Sequence, residues 1–221
     1  MYRSMQKSKA TLPTSKAEGP RGPGRPRAFD REAALGQAMR VFWRKGFEAS
    51  SIFDLKEAMG IGSPSLYAAF GSKEALFAEA IRYYVDTFGK QAWSQFHSAK
   101  TVREAVEAYM LTSAAALTGS LCDVPRGCMV TLSSVGDEGH LELGELVKTE
   151  RSALLNSIRD RLAEAVAEGE VSQSTDIHAL ARFVQTVQSG MSILARDGAS
   201  RDELEAVVHT AMLGWDARVA G

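Results

Sequence analysis

Residues 49–77 read ASSIFDLKEAMGIGSPSLYAAFGSKEALF: two short helices joined by a glycine turn, with a third helix starting at once. Ser51 and Asp54 stand in S-x-x-D spacing, in which the serine hydroxyl accepts from an unpaired N–H of the first helical turn. From there Ile52, Leu55, Ala58 and Met59 form an apolar stripe along one helical face. Gly60 and Gly62 punctuate the chain, since either takes a positive φ at little steric cost. Ser63 followed by Pro64 restarts it, with serine as the expected N-cap and proline pre-set for the first helical position. The second helix, over 64–70, is shorter than the roughly twelve residues a helix needs to survive unaided, so its neighbours must hold it. Leu66 and Phe70 supply its buried face. Ser63, Ser65, Tyr67, Ala68 and Ala69 look outward or obliquely, and small or hydroxylic groups there allow close approach to base edges and phosphates. This layout is a helix-turn-helix, whose second helix enters the major groove of DNA; the plainer alternative is a helical hairpin in an all-α domain.

The flanks extend the pattern. Asp30 is placed to cap a first helix whose Ala34, Leu35, Ala38, Met39 and Phe42 share one face, and Gly46 is expected to end it. A fourth helix opening at Ser72 is expected to run past Tyr83 toward His97, as a mechanical link to the rest of the chain. Its first turn carries Lys73 and free backbone N–H groups, an anion site suited to a DNA phosphate.

Charge divides the chain. Residues 1–97 carry 15 Lys+Arg against 9 Asp+Glu, and residues 98–221 carry 11 against 18. A basic first part beside an acidic second part suits a DNA-reading module joined to a regulatory one, because phosphate neutralisation dominates DNA affinity. Residues 1–23 are rich in Lys, Ser, Gly and Pro and read as a disordered basic arm. At its end Gly24-Arg25-Pro26-Arg27 is similar to the core of an AT-hook, which lays Arg25 and Arg27 into a narrow minor groove.

The remaining segments are helical: 101–120, a short helix within RGCMVTLSSVG, a long one over 141–168 ended by Gly169, then 177–195 and 203–217 around an Asp197-Gly198 turn. No strand pattern competes, and the chain reads as all-α with about nine helices. No apolar run approaches the roughly eighteen residues of a membrane span and no signal peptide opens the chain, so a cytoplasmic protein without a membrane partner is expected.

Enzyme signals are missing: there is no Walker loop, dinucleotide turn, G-x-S-x-G elbow or H-E-x-x-H. No catalytic residue and no cofactor is expected. His140, near Asp137, Glu138 and Glu142, reads as part of a polar loop rather than a metal site. Trp93, Phe96, Tyr109, Met110, Met129 and Leu132 are candidates to line an effector cavity between helices, though apolar residues at helical spacing are more often core. Cys122 and Cys128 raise thiol sensing as an alternative, with Arg126 placed to favour a Cys128 thiolate; a small buried apolar Cys128 is the simpler reading.

At Leu66, Tyr67, Phe70, Ser72, Lys73, Glu74 and Leu76 the sequence resembles the TetR/AcrR family of bacterial transcriptional regulators. The turn departs from the family pattern, with Gly62 where serine is usual and Pro64 where glycine is usual. The resemblance covers residues 29–77. It implies an N-terminal three-helix helix-turn-helix domain over 24–77, after the arm, and a C-terminal helical ligand-binding and dimerisation domain over 78–221. It further implies a homodimer through the last two helices, a near-palindromic double-stranded operator and a small, largely apolar effector that releases a repressor. The DNA contacts expected are Arg25, Arg27, Ser51, Ser63, Ser65, Tyr67, Ala68 and Lys73. A DNA-independent helical interaction module is the rival from another class.

Overall fold

The structure, a computed structural model, describes residues 29–135 and 139–219. Arg25 and Arg27 of the arm, and Asp137 and Glu138 of the loop before the long helix, lie outside the described residues. Ten α-helices and one π-helical turn are present among the described residues, and no strand.

Helix α1 spans Arg31–Ala49. Asp30 caps it as expected, its Oδ1 accepting from the amides of Glu32 and Ala33 at 3.0 Å each. Gly46, at φ 79°, kinks the helix rather than ending it, and one further turn reaches Ala49. Helix α2, Ile52–Met59, opens on a complete capping box between Ser51 and Asp54. Gly60 closes it in the left-handed region, at φ 66° and ψ 29°. Helix α3, Ser63–Phe70, corrects the expected cap: Gly62 holds the extended N-cap position and Ser63 is already helical. Pro64 then falls in the first turn, where its missing N–H leaves no bond unmade.

Helix α4 is Lys73–Tyr84, capped by Ser72. The expected single fourth helix is interrupted by a π-helical turn, Val85–Gly89, before α5, Lys90–Ser98. This split raises the helix count above nine, and such turns commonly sit at functional positions. Helix α6, Val102–Leu117, opens on a Thr101–Glu104 capping box. The short α7, Met129–Leu132, the long α8, Leu141–Ala167, α9, Ile177–Arg196, and α10, Arg201–Val219, complete the chain.

Two apolar cores result. The first gathers α1 to α4 around Phe42, which lies edge-on to Phe77 at 5.1 Å and stacked with Phe47 at 6.3 Å. It does not stop at the helix-turn-helix, because Met129 and Val130 of α7 and Leu143 and Val147 of α8 join it. The second lies among α5, α6, α8, α9 and α10, with Trp215, Ile158 and Met110 fully buried. A bidentate pair between Arg103 and Asp216, at 2.6 and 2.8 Å, ties α6 to α10.

Between the cores, the backbone of residues 126–128 is gripped from several sides. Trp43 Nε1 of α1 donates to the Gly127 carbonyl at 2.9 Å, and the Cys128 amide donates to Ser192 Oγ of α9 at 2.8 Å. Arg196, at the end of α9, donates to the carbonyls of Arg126, Trp43 and Arg44 at 2.9, 2.8 and 3.3 Å. The C-terminal part of the chain thus holds the second half of α1 by its backbone and by Trp43.

Candidate functional site

The exposed face of α3 presents Tyr67, 47 % exposed, and Ala68, with Ser63 and Ser65 half-buried beside them, while Leu66 and Phe70 are buried as anticipated. Leu66 is wholly enclosed against the first core, so the short helix is fixed by packing. Ser51 is exposed but engaged: its hydroxyl accepts from the Asp54 amide and donates to Asp54 Oδ2 at 2.8 Å. The Asp54 carboxyl is pulled down to about 2, first by its hydrogen bond to Lys45 and then by those from Ser51.

Lys73 is folded back rather than extended. Its Nζ lies 3.5 Å from the Glu48 carbonyl and 4.3 Å above the Phe47 ring. The adjacent helix start is partly occupied, since the Glu74 carboxyl is lowered chiefly by its own backbone N–H and by the Ser72 hydroxyl. Any phosphate bound there takes Lys73 from Glu48 and shares the first turn with Glu74. On α2, Phe53 stands 63 % exposed with Lys56 Nζ 4.8 Å from its ring centre. Its sequence signal is that of an aromatic off the Ile52–Leu55–Met59 stripe, which the motif itself does not pick out.

The second site is a cavity of about 500 Å³. Its walls come from α6, α8 and α9, from the 121–131 passage, and from Trp43 of α1 with Tyr84, Val85 and Phe88 at the π-helical turn. Trp43 meets Tyr84 at 4.8 Å and Phe88 at 5.5 Å, so the N-terminal half supplies an aromatic corner of the wall. Burial pushes the Tyr84 phenol well up, with Cys128 adding to the effect. Tyr109 is raised for the same first reason, so both hydroxyls stay protonated donors.

Of the six residues expected at an effector cavity, Trp93 and Tyr109 line it, stacked at 4.9 Å. Phe96, Met110, Met129 and Leu132 are not among the lining residues. Phe96 stands behind Trp93 at 5.0 Å, 1 % exposed; Met110 and Met129 belong to the two cores; Leu132 packs toward Gly127. Phe96, Met110 and Met129 point inward into core, and Leu132 is half-buried outside both cores. Cys122 and Cys128 both line the cavity as free thiols, Cys122 exposed and Cys128 half-buried. Arg126 is directed elsewhere, its Nε donating to the Thr118 carbonyl at 3.2 Å. His140 rests against the Phe47 ring at 4.8 Å, with Nε2 3.9 Å from Glu48. Trp43, Tyr84, Phe88 and Gln188 are cavity residues that sequence reasoning missed. Gln188 carried a signal, a polar residue in the inward stripe of Leu180, Val184 and Met191.

A helix-turn-helix with an exposed second helix, sharing a wall with an inner apolar cavity, defines a DNA-binding transcriptional regulator. Residues 34–80 match the family model described as bacterial regulatory proteins, tetR family. The chain is 36 % identical over 198 residues to the HTH-type transcriptional repressor ComR of Escherichia coli, across 87 % of this chain and 91 % of that one. It is 31 % identical over 185 residues to the HTH-type transcriptional repressor BdcR of the same organism, across 83 % and 88 %. Among solved structures, a cysteine-substituted form of the regulator CifR complexed with a 26-base-pair operator superposes with a TM-score of 0.82 at 39 % identity, covering 87 % of this chain and all of that one. The protein belongs to the TetR family of transcriptional regulators.

Proposed function

We propose that the chain is a cytoplasmic homodimeric repressor, paired through α9 and α10, that occupies a near-palindromic operator and is released when a small, largely apolar effector enters the cavity. The protein acts by binding and carries no catalytic chemistry. The observation that carries this reading is the shared wall: an effector in the cavity touches Trp43 of α1 and Tyr84 at the end of α4, the two helices that seat α2 and α3. An effector that fits better when this wall is displaced biases the protein against the DNA-bound arrangement. A coupling of about 1–3 kcal/mol changes DNA affinity roughly five- to 150-fold. ComR and BdcR are named as repressors, and CifR is seen on its operator, which supports the same sense for this chain. No helix among the described residues is long and apolar enough to cross a membrane.

DNA is proposed to meet Ser51, Ser63, Ser65, Tyr67, Ala68 and Lys73, with Arg25 and Arg27 reaching an adjacent minor groove. Lys73→Ala and Tyr67→Phe are expected to weaken operator binding while leaving the dimer intact. Lys73→Ala removes one phosphate contact from each half-site and should flatten the log–log salt slope by about 0.9 per contact. Titration of promoter DNA at several salt concentrations reads this. Unchanged affinity and slope for Lys73→Ala would remove it from the interface, and no salt-dependent DNA binding by the parent would favour the helical interaction module.

A second reading, thiol sensing, draws on one observation: Cys122 and Cys128 stand on the cavity wall. Packing accounts for Cys128, whose amide is already bonded to Ser192 and which sits beside buried Met129 and half-buried Tyr84. The Cys122→Ser/Cys128→Ser protein is therefore expected to bind operator and to show the parent's response to oxidant. Oxidant that releases the parent but leaves the double variant bound would move sensing to the thiols.

A further inference from the structure

Helix α9 faces the cavity with Gln185, Gln188 and Ser189. Polar groups one turn on either side of Gln188 are satisfied within the protein: Gln185 Nε2 donates to the Arg151 carbonyl at 2.8 Å, and Ser192 Oγ accepts from the Cys128 amide at 2.8 Å. Arg151, also on the wall, gives its guanidinium to the carbonyls of Val130, Thr131 and Ser133. Gln188 differs. It is 5 % exposed, and its Oε1 is the buried side-chain nitrogen or oxygen that has no hydrogen-bond partner among the described residues.

Burying an acceptor without a partner shifts the folding equilibrium unfavourably by a factor of roughly five to 150. Methionine has nearly the same length and volume and would fill the place without that penalty, so packing does not explain the carboxamide. A buried, unpartnered amide on the wall of an apolar cavity is the arrangement of a ligand-orienting group: aromatic and aliphatic surface supplies affinity, and one polar atom supplies orientation.

We propose that Gln188 Oε1 is the polar docking point of the effector, and hence that the effector is a largely apolar molecule bearing a hydroxyl or N–H donor. This rests on the reading of the cavity as the effector site. Trp43, Tyr84, Phe88 and Trp93 receive the apolar body, and Gln188 selects for the donor. A molecule of the same shape whose only polar atom is an ether oxygen leaves Oε1 unpaired and is discriminated against, as sites built around a hydrogen bond reject analogues that lack it.

The test uses two isomers of one size, n-heptanol and hexyl methyl ether, each titrated calorimetrically and by tryptophan fluorescence against the full chain. Simple hydrophobic transfer favours the ether, so a preference for the alcohol cannot come from burial of carbon. The parent is expected to bind the alcohol at least about tenfold more tightly, the effect of one hydrogen bond made rather than unmade. Gln188→Met should bring the two affinities within about twofold, and Gln188→Leu should do the same if methionine disturbs the wall. Relief of the unpaired oxygen should raise the melting temperature of the ligand-free Gln188→Met protein by about 2–12 °C.

Equal binding of the isomers by the parent, or a preference that survives both substitutions, would overturn the role of Gln188 and leave the cavity reading standing. A melting temperature that falls in both variants would show the amide to be a structural group and overturn the proposal. Failure of both isomers to bind would overturn the cavity reading itself, and the proposal with it.

Discussion

The Phe183→Glu/Val207→Glu protein is expected to be monomeric and to bind a two-half-site operator about 10²–10⁴-fold more weakly than the parent, because the second half-site is no longer held at high effective concentration. Phe183 and Val207 are 37 % and 38 % exposed, and both line a shallow groove between α9 and α10 with Val187, Ala206 and Ala211. Leu194 and Leu213, at 45 % and 72 % exposed, add apolar surface on the same two helices. Joined across a two-fold axis, such a face meets itself, so each glutamate introduced meets its own copy near the axis and an apolar partner elsewhere. Sedimentation velocity checks the mass and circular dichroism the helix content. A dimer that persists would show that α9 and α10 do not pair the chains, and a monomer that keeps full operator affinity would show that pairing does not hold the second half-site at high effective concentration.

The helix-turn-helix was legible because each of its devices is local. The Ser51–Asp54 box, the left-handed Gly60 and the Leu66–Phe70 pair lie within a few residues of their partners, and the structure contains all three. What failed there was equally local: Gly62 rather than Ser63 takes the cap, because an N-cap must be extended and Gly62 is, at φ −77° and ψ 157°. The π-helical turn at Val85–Gly89 left no such mark. No proline breaks that stretch, and Gly89, the N-cap of α5, makes no side-chain cap hydrogen bond; the aromatic packing of Tyr84 and Phe88 on Trp43, a long-range fact, coincides with it.

The cavity was legible only in outline. Periodicity tells inward from outward, and it placed Phe96, Met110 and Met129 inward, where they are core. Which inward residues meet empty space depends on how α6, α8 and α9 diverge and on how α1 closes the gap between them. Trp43 was missed for that reason: it lies beside Phe42 on α1 and belongs to the first core, yet its ring also reaches the cavity wall, where Nε1 donates to the Gly127 carbonyl.

Gly127→Ala is expected to cost about 2–5 kcal/mol of stability, a fall in melting temperature of roughly 5–20 °C. Gly127 has φ 78°, a conformation that a side chain disfavours. A Cβ there would also stand 2.8 Å from the Ser192 carbonyl oxygen and run into the Leu132 side chain. The backbone has little freedom to yield. The Gly127 amide donates to the Leu117 carbonyl at 2.8 Å, its carbonyl accepts from Trp43, and its neighbours are held by Arg196 and Ser192. Relieving the clash therefore strains α1, α6 and α9 together, which is why the loss should exceed that of an ordinary turn glycine. Gly36→Ala provides the contrast: Gly36 lies within α1, and the nearest atoms to a new Cβ are those of Tyr83 at 3.7 Å, an ordinary separation. That variant should be stabilised by about 0.5–1 kcal/mol, as glycine in a helix interior is unfavourable relative to alanine. Thermal unfolding of both proteins reads the difference. Because Trp43 hangs on the Gly127 carbonyl, the folded fraction of the alanine variant should also respond less to effector; a variant as stable and as responsive as the parent would show that residues 126–128 do not join the cavity to α1.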